Sequence, residues 1–392
     1  MIQKTKIGII GAGPAGLTLS LLLYSKGIDC VILENRSREY VESRIRAGLL
    51  EQNTVDLYNE LEVAERLNKE GLQHHGVYLS FDGKRIRVPF GELTNGRSIT
   101  IYGQQEVVKD LVKANIERGV TIVFEAIATG MDGIETTAPL IHFKHKEVQH
   151  TLECDFIAAC DGYHGIGRKN LPGHCYNEFV KEYPFSWLGI LAHAAPSTDE
   201  LIYAYHENGF ALHSLRSEKV SRLYLQVDND DHIDNWPDEK IWDELALRLS
   251  ADGFSLNRGE IFDKSITPMR SFMIDNMQFG KLFLAGDAAH IVPPTGGKGL
   301  NLAVADVRFM AAAINDWYKN KKNDLLESYS SDCLRRIWRA QDFSNFMTCL
   351  FHKQAVHGSF EYYLQKSRFN YISISKAQAA TIAENYVGLK EI

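Results

Sequence analysis

Between residues 286 and 301 the chain reads Gly286-Asp287-Ala288-Ala289-His290-Ile291-Val292-Pro293-Pro294-Thr295-Gly296-Gly297-Lys298-Gly299-Leu300-Asn301. The residue types and their order suit a polar ligand. An apolar run, Leu282 to Ala285, precedes the stretch as a buried strand, and a periodic helix opens near Gly299. Asp287 then stands at a strand end, where its carboxylate can accept hydrogen bonds from a polyol. The backbone N–H groups from Gly296 to Asn301 fall at a helix N-terminus, where the first turn leaves donors unpaired and favours negative charge. Asp beside a Gly-rich turn also makes an ordinary strand-to-helix loop.

The first forty residues favour the ligand reading. Lys6 to Ile10 reads as a short strand, Gly11-Ala12-Gly13-Pro14-Ala15-Gly16 as a turn, Leu17 to Lys26 as a helix, and Ile28 to Leu33 as a second strand ending at Glu34. This is the dinucleotide fingerprint: Gly11, Gly13 and Gly16 allow a tight turn and close approach of a pyrophosphate, and an acid about 20 residues on binds a ribose hydroxyl. Beyond Glu34 come Arg36, Arg38, Tyr40, Arg44 and Arg46, which read either as a solvated face or as holders of nucleotide phosphates. The run Cys160-Asp161-Gly162-Tyr163-His164-Gly165-Ile166-Gly167-Arg168 at another strand end reads equally as a phosphate-binding turn or a tight corner.

A second group of polar residues lies on alternating strands. Leu201 to Tyr205, Phe210 to Arg216 and Ser221 to Val227 are joined by short polar turns, and period-two alternation puts Ser214 and Arg216 on one face and Arg222 and Tyr224 on one face of the next strand. A hydroxyl, a guanidinium and a phenol then converge; the plain alternative is an exposed arginine beside core tyrosines. His74 and His75 precede a strand, Val77 to Phe81, whose alternation continues into Arg85 to Pro89, and such a pair serves more often as structure than as catalyst.

The elements that position these groups follow from the apolar pattern. Strand–helix alternation fills the first part of the chain, with a helix from Gly48 to about Leu67, another opening at Gln104, and strands at Thr121 to Phe124, Leu140 to His145 and Phe156 to Ala159. Antiparallel strands follow, and helices dominate after Gly299. The fold class is α/β and α+β, divided into residues 1–180 (βαβ, with a strand excursion near 75–100), 181–272 (antiparallel sheet) and 273–392 (second ligand motif and a helical interface region). The chain has 392 residues, 45% of them hydrophobic, enough for a large core. A net charge of −7 gives no attraction to nucleic acid or an anionic membrane surface. No apolar run approaches the roughly 18 residues of a membrane span, and residues 1–6 do not read as a signal peptide, so a cytoplasmic location is expected. The six cysteines form no CxxC pair and no metal-like spacing, which counts against a disulfide reductase and a metal site.

With these motifs in place, the sequence resembles the class A flavoprotein aromatic hydroxylases, in particular the branch acting on para-hydroxybenzoate. The matching runs include Gly11 to Gly16, Arg44-Ile45-Arg46-Ala47-Gly48, Tyr102-Gly103-Gln104, Cys160-Asp161-Gly162, Leu201-Ile202-Tyr203-Ala204, Arg270-Ser271-Phe272, Gly286 to Asn301 and Thr381 to Leu389. The resemblance implies FAD contacts at Glu34, Arg44, Arg46, Gln104, Asp287, Gly299, Leu300 and Asn301. It implies substrate contacts at Tyr203, Ser214, Arg216, Tyr224, Pro294 and Thr295, and a proton relay through Tyr203, Tyr386 and His74, with Pro294 beside it. NADPH contacts are implied at Tyr40, Arg44, His164, Arg168 and Arg270. Asn35 and Arg36 follow Glu34 where the pattern has a basic residue immediately after the acid, which leaves NADH as the other candidate donor.

The implied activity is hydroxylation of 4-hydroxybenzoate ortho to its phenol, giving 3,4-dihydroxybenzoate through phenolate activation and a flavin C4a-hydroperoxide, with NADPH and O2 consumed in a homodimer. Rival readings are a hydroxylase of 4-aminobenzoate or 3-hydroxybenzoate and, from a different class, a non-catalytic flavin-binding sensor.

Overall fold

The computed structural model describes residues 2–389. Its nucleotide side is a six-stranded sheet in the order Gln278–Phe279, Leu282–Leu284, Phe156–Ala159, Ile7–Ile10, Cys30–Leu33, Thr121–Val123. All pairings but the first are parallel. Ile7–Ile10, Phe156–Ala159 and Leu282–Leu284 are buried throughout, as strands covered on both faces must be. Helices Pro14–Tyr24 and Gly299–Asn320 pack together beside this sheet. The ends of Ile7–Ile10 and Leu282–Leu284 therefore release the two Gly-rich stretches at the same edge, because the strands run parallel on either side of Phe156–Ala159.

The second large sheet has eight strands, ordered His290–Ile291, Glu260–Ile274, Glu178–His193, Val220–Val227, Ala211–Ser217, Ile202–Tyr205, Gly76–Phe81, Lys84–Pro89. Its two longest members, Glu178–His193 and Glu260–Ile274, pair antiparallel, and the boundaries at 180/181 and 272/273 fall inside them. Their register shifts between Glu182 and Ser186, around Pro184, which has no N–H to give the ladder. Smaller sheets complete the β-structure: Ile2–Lys4 with Val148–Glu153, Leu140–His145 and Ala126–Asp132, and Leu49–Glu51 with Ile99–Ile101 and Leu72–His74. Helices Asp324–Phe351, Phe360–Ile374 and Lys376–Val387 form the C-terminal region.

Two local expectations are corrected. The helix expected from Gly48 to about Leu67 is instead the strand Leu49–Glu51, the helix Gln52–Glu60 and the helix Glu65–Glu70. Leu49 and Leu50 serve a buried strand paired to Ile99–Ile101, and Glu62, at φ 55°, breaks the helical path. The alternation from Val77 into Pro89 is no single strand: Asp82 (φ 47°) and Gly83 (φ 80°) turn it into a hairpin, the Asp-Gly signal of a two-residue loop.

Candidate functional site

The N-terminal turn meets the requirements of a dinucleotide on observations independent of any ligand. Gly11 sits at φ +102°, where a Cβ would lie 2.4 Å from the Cys160 carbonyl oxygen, and a Cβ on Gly16 would lie 2.0 Å from that of Gly11. Gly13 has nothing within 4 Å of its Cβ position, so the backbone is open to close approach. It caps helix Pro14–Tyr24 with no side-chain bond, leaving first-turn N–H groups for an anion. Glu34, buried at the next strand end, accepts from Ala12 N at 2.7 Å and Arg36 N at 2.8 Å, which fixes its carboxylate beside the glycine turn.

The second stretch is held just as firmly. Asp306 accepts from Gly286 N at 2.9 Å and pairs with His290 at 2.6 Å, fixing the one-turn 3-10 helix Gly286–Ala288 that presents Asp287 outward. Gly299 opens helix Gly299–Asn320 with open space around its Cβ position. The Asn301 side chain is saturated by protein: Nδ2 donates to the Leu49 and Gly297 carbonyls, and Oδ1 accepts from Glu51 N and Thr54 Oγ1. Any ligand contact there falls to backbone N–H groups. Two Gly-rich helix N-termini and two carboxylates fit the pyrophosphate, ribose and ribityl groups of FAD.

On the antiparallel sheet Ser214 stands opposite Arg222, and Leu212 opposite Tyr224, so Ser214 and Tyr224 share a face as alternation predicts. A register shift between Leu215 and Ser217 lies at Arg216. Its guanidinium donates to the Arg46 carbonyl at 2.5 Å and to Gln105 Oε1 at 2.8 Å. Burial, then the neighbouring Arg222, pull the Arg216 pKa down to about 10, so it stays cationic at neutral pH but is poorly solvated and available to an anion. Arg46 is lowered by burial and by Arg44, with Asp287 and Tyr40 opposing, which places it among both nucleotide-side and sheet-side groups.

Tyr203, on Ile202–Tyr205, donates to the Thr295 carbonyl at 2.8 Å and accepts a hydrogen bond from Tyr386 of the C-terminal helix. Both phenols are fully buried, and burial raises both pKa values. Thr295 is held in turn by Thr348, Oγ1 to Oγ1 at 2.9 Å, and Pro294 begins the same short turn, Pro294–Gly296. His74 is buried but hydrogen-bonds to neither tyrosine, and both its ring nitrogens lack partners. Burial lowers its pKa to about 4 against the pull of Glu200 and Asp199, so it is neutral at pH 7.

His164, Arg168 and Arg270 gather around Tyr163. Arg270 lies 3.9 Å and Arg168 4.7 Å from the Tyr163 ring centroid, and the His164 ring meets it edge-on at 5.0 Å. Arg168 also donates to the Ala288 and Tyr163 carbonyls. Tyr40 and Arg44 lie at the surface on helix Arg38–Ser43 and its C-cap, with Arg36 over the Tyr40 ring. Gln104 opens helix Gln104–Glu117 next to the Gln105 that meets Arg216.

Sequence reasoning gave no role to the buried ion cluster behind Tyr386. Lys298 bonds Glu51 Oε1 at 2.7 Å and the Tyr386 carbonyl at 3.2 Å, and Arg336 bonds Glu51 Oε2 at 2.7 Å. Burial pushes the Glu51 carboxyl up, but Lys298 and Arg336 outweigh it and hold it below the usual range. The available signal was Lys298 itself, a cation between glycines at a helix start. Among the described residues no helix is long and apolar enough to cross a membrane, and no cluster of metal-ligating side chains occurs.

Comparison with known proteins agrees with this geometry. A family model described as an FAD binding domain matches residues 4–344. The p-hydroxybenzoate hydroxylase of Acinetobacter baylyi is 46% identical over 388 residues, 99% of this chain and 96% of that protein. The 3-amino-4-hydroxybenzoate 2-monooxygenase of Streptomyces cremeus is 22% identical over 80% of this chain and 79% of its own length. Among solved structures, a p-nitrophenol 4-monooxygenase from Pseudomonas putida superposes with a TM-score of 0.84 at 16% identity, over 99% of this chain and 100% of that one, a likeness of fold.

Proposed function

This chain belongs to the FAD binding domain family and has the class A flavoprotein hydroxylase fold, and from that premise we propose that it converts 4-hydroxybenzoate to 3,4-dihydroxybenzoate. The observation that carries the reading is the buried hydrogen bond to Tyr203 from Tyr386 of the C-terminal helix, Tyr203 lying on the sheet that also bears Ser214, Arg216 and Tyr224. Arg216 pairs with the ring carboxylate, and Ser214 and Tyr224 take its remaining lone pairs. The substrate phenol meets Tyr203 at the Pro294–Thr295 turn. The Tyr386–Tyr203 bond must reverse for a phenol proton to pass outward, Tyr203 then donating to Tyr386. Neutral His74, which bonds neither tyrosine in this structure, takes the proton only in passing and hands it to solvent, since burial lowers its pKa to about 4. Loss of that proton makes the ring electron-rich ortho to oxygen.

Bound FAD supplies the redox chemistry, accepting hydride from NADPH and activating O2. The Gly11–Gly16 turn would hold its pyrophosphate, Glu34 its adenosine ribose, Asp287 its ribityl hydroxyls and the backbone of Gly299, Leu300 and Asn301 its ring, with Arg44, Arg46 and Gln104 as further contacts. Tyr40, Arg44, His164, Arg168 and Arg270 receive NADPH in preference to NADH. The three-part division at 1–180, 181–272 and 273–392 and a cytoplasmic location complete the reading.

The test is product analysis with NADPH, O2 and a panel of monosubstituted benzoates. It should give 3,4-dihydroxybenzoate from 4-hydroxybenzoate; faster turnover of 4-aminobenzoate or 3-hydroxybenzoate, or no oxygen uptake with any acid, overturns it.

We also read the enzyme as a homodimer. Phe360, Tyr363, Leu364, Tyr371 and Ile374 recur at i, i+3, i+4, i+11 and i+14 on helix Phe360–Ile374, and their exposures run from 42% to 82%. So long an exposed apolar stripe suits a second copy of the same helix. Light scattering should show a dimer that Ile374→Glu converts to monomer; a monomeric wild type removes this assignment.

A further inference from the structure

Sequence separation hides one contact that links the two ends of the proposed substrate site. His352 caps the long helix Asp324–Phe351 and is fully buried. Its Nε2 lies 2.6 Å from Trp187 Nε1. An indole N–H only donates, so Nε2 is the unprotonated nitrogen; Nδ1 carries the hydrogen and donates to the Thr348 carbonyl at 2.9 Å. Both ring nitrogens are thus committed, and the imidazole has one tautomer and one orientation. Burial, which lowers its pKa to about 3, keeps it neutral.

The ring is a layer in an aromatic stack. Phe185 lies 4.5 Å away at 9° and Phe210 4.3 Å away at 24°. Trp187 stacks on Phe210 at 5.3 Å and reaches Tyr224 at 4.6 Å, while Phe210 reaches Tyr203 at 5.9 Å. The stack therefore runs from the tyrosine beside Arg216 to the tyrosine at the phenol end. Thr348, which accepts from His352, also holds the Thr295 hydroxyl, and the Thr295 carbonyl accepts from Tyr203. One helix end thus ties down both the wall between the two anchors and the turn at one of them.

We propose that His352 is a specificity-determining positioning residue: by locking Trp187 it fixes the separation between the Arg216–Tyr224 end and Tyr203, and so restricts the site to one-ring acids whose carboxylate and hydroxyl are para. The inference rests on the substrate reading given above. His352 acts through Trp187. Without an acceptor at this position a buried indole N–H is left unsatisfied, the indole turns to find another partner, and the spacing relaxes.

The test uses the FAD-loaded enzyme with His352→Leu, which fills the space but accepts nothing, His352→Gln, whose amide oxygen can accept from Trp187, and Trp187→Phe, which keeps a ring without the donor. Dissociation constants are measured for 4-hydroxybenzoate and for 4-hydroxyphenylacetate, one methylene longer, together with product formed per NADPH oxidised. The wild type should strongly prefer the shorter acid. His352→Leu and Trp187→Phe should each narrow that preference about 10-fold and lower the product yield, and His352→Gln should restore most of both.

Proportionate weakening of both acids, or a preference unchanged in Trp187→Phe, overturns the inference even if His352→Leu does not fold. Wild-type enzyme that binds neither acid instead brings down the proposed function on which the inference rests.

Discussion

Under the proposed function, the nucleotide side and the aromatic-acid side of this molecule recognise their ligands by different means. On the first, the atoms proposed to recognise are backbone N–H groups in two short stretches, Gly13–Gly16 and Gly299–Asn301, with Glu34 and Asp287 close by in sequence. The expected run of unpaired N–H groups from Gly296 is shorter, because Gly297 N–H donates to the Pro294 carbonyl at 3.0 Å. On the second they are side chains drawn from distant places: Tyr203 meets Tyr386 across 183 positions, and Arg216 meets the Arg46 carbonyl across 170. Backbone recognition needs only the right turn at the right strand end. Side-chain recognition needs a sheet, its bulge and the C-terminal helices to be in place first.

The sharpest way to break this contrast is at Arg216. Arg216→Ala should weaken 4-hydroxybenzoate binding by about 3 kcal/mol or more, because the carboxylate would then be buried without its charge partner. Spectral titration of the flavin checks this, and an unchanged dissociation constant takes Arg216 out of the site. Tyr203→Phe should still bind the acid and oxidise NADPH while the rate of product formation falls roughly 100-fold, the scale of a lost proton-transfer group. Full coupling of product to NADPH in that variant ends the phenolate role.

On the backbone side, Gly13→Ala should leave folding intact, since its Cβ position is open, yet weaken FAD by about 10-fold, or ~1.4 kcal/mol. Gly11→Ala cannot separate these effects, because its Cβ would strike the Cys160 carbonyl. FAD affinity of the apoprotein, measured beside its melting temperature, decides whether the turn recognises through its backbone.

The smallest expected effect concerns acid. His74 and His213 have pKa values lowered to about 4 and His352 to about 3, all by burial first. Between the ordinary histidine value of about 6.5 and these values the unfolded chain binds more protons, so stability is full above that range and falls as pH drops through it. The melting temperature should decline by a few degrees from pH 6.5 to pH 5, and His352→Gln should flatten the decline. A wild-type profile flat over this interval contradicts buried neutral histidines.

Much of the fold could be read locally. The fingerprint turn, the second strand and Glu34 follow one another within thirty residues, and period-two alternation put Ser214 on the face of Arg222 and Tyr224, though it did not show the register shift at Arg216. The misread segment, Gly48 to Leu67, failed because apolar spacing there suits a helix until a partner strand, Ile99–Ile101, competes for the same backbone groups. Nor did spacing reveal that Lys298 and Glu51, 247 positions apart, form a buried pair behind Tyr386.

By itself the sequence determined where the Gly-rich turns stand at strand ends and which residues alternate on an unbroken strand, such as Arg222 and Tyr224, because both depend on neighbours within a few positions. Tertiary structure alone decided that Tyr386 reaches Tyr203, that Asn301 spends its side chain on protein groups, and that Trp187 is held by His352. Those contacts exist only after distant segments pack, since a buried donor takes whichever acceptor the folded chain brings within reach, and no local pattern encodes that choice.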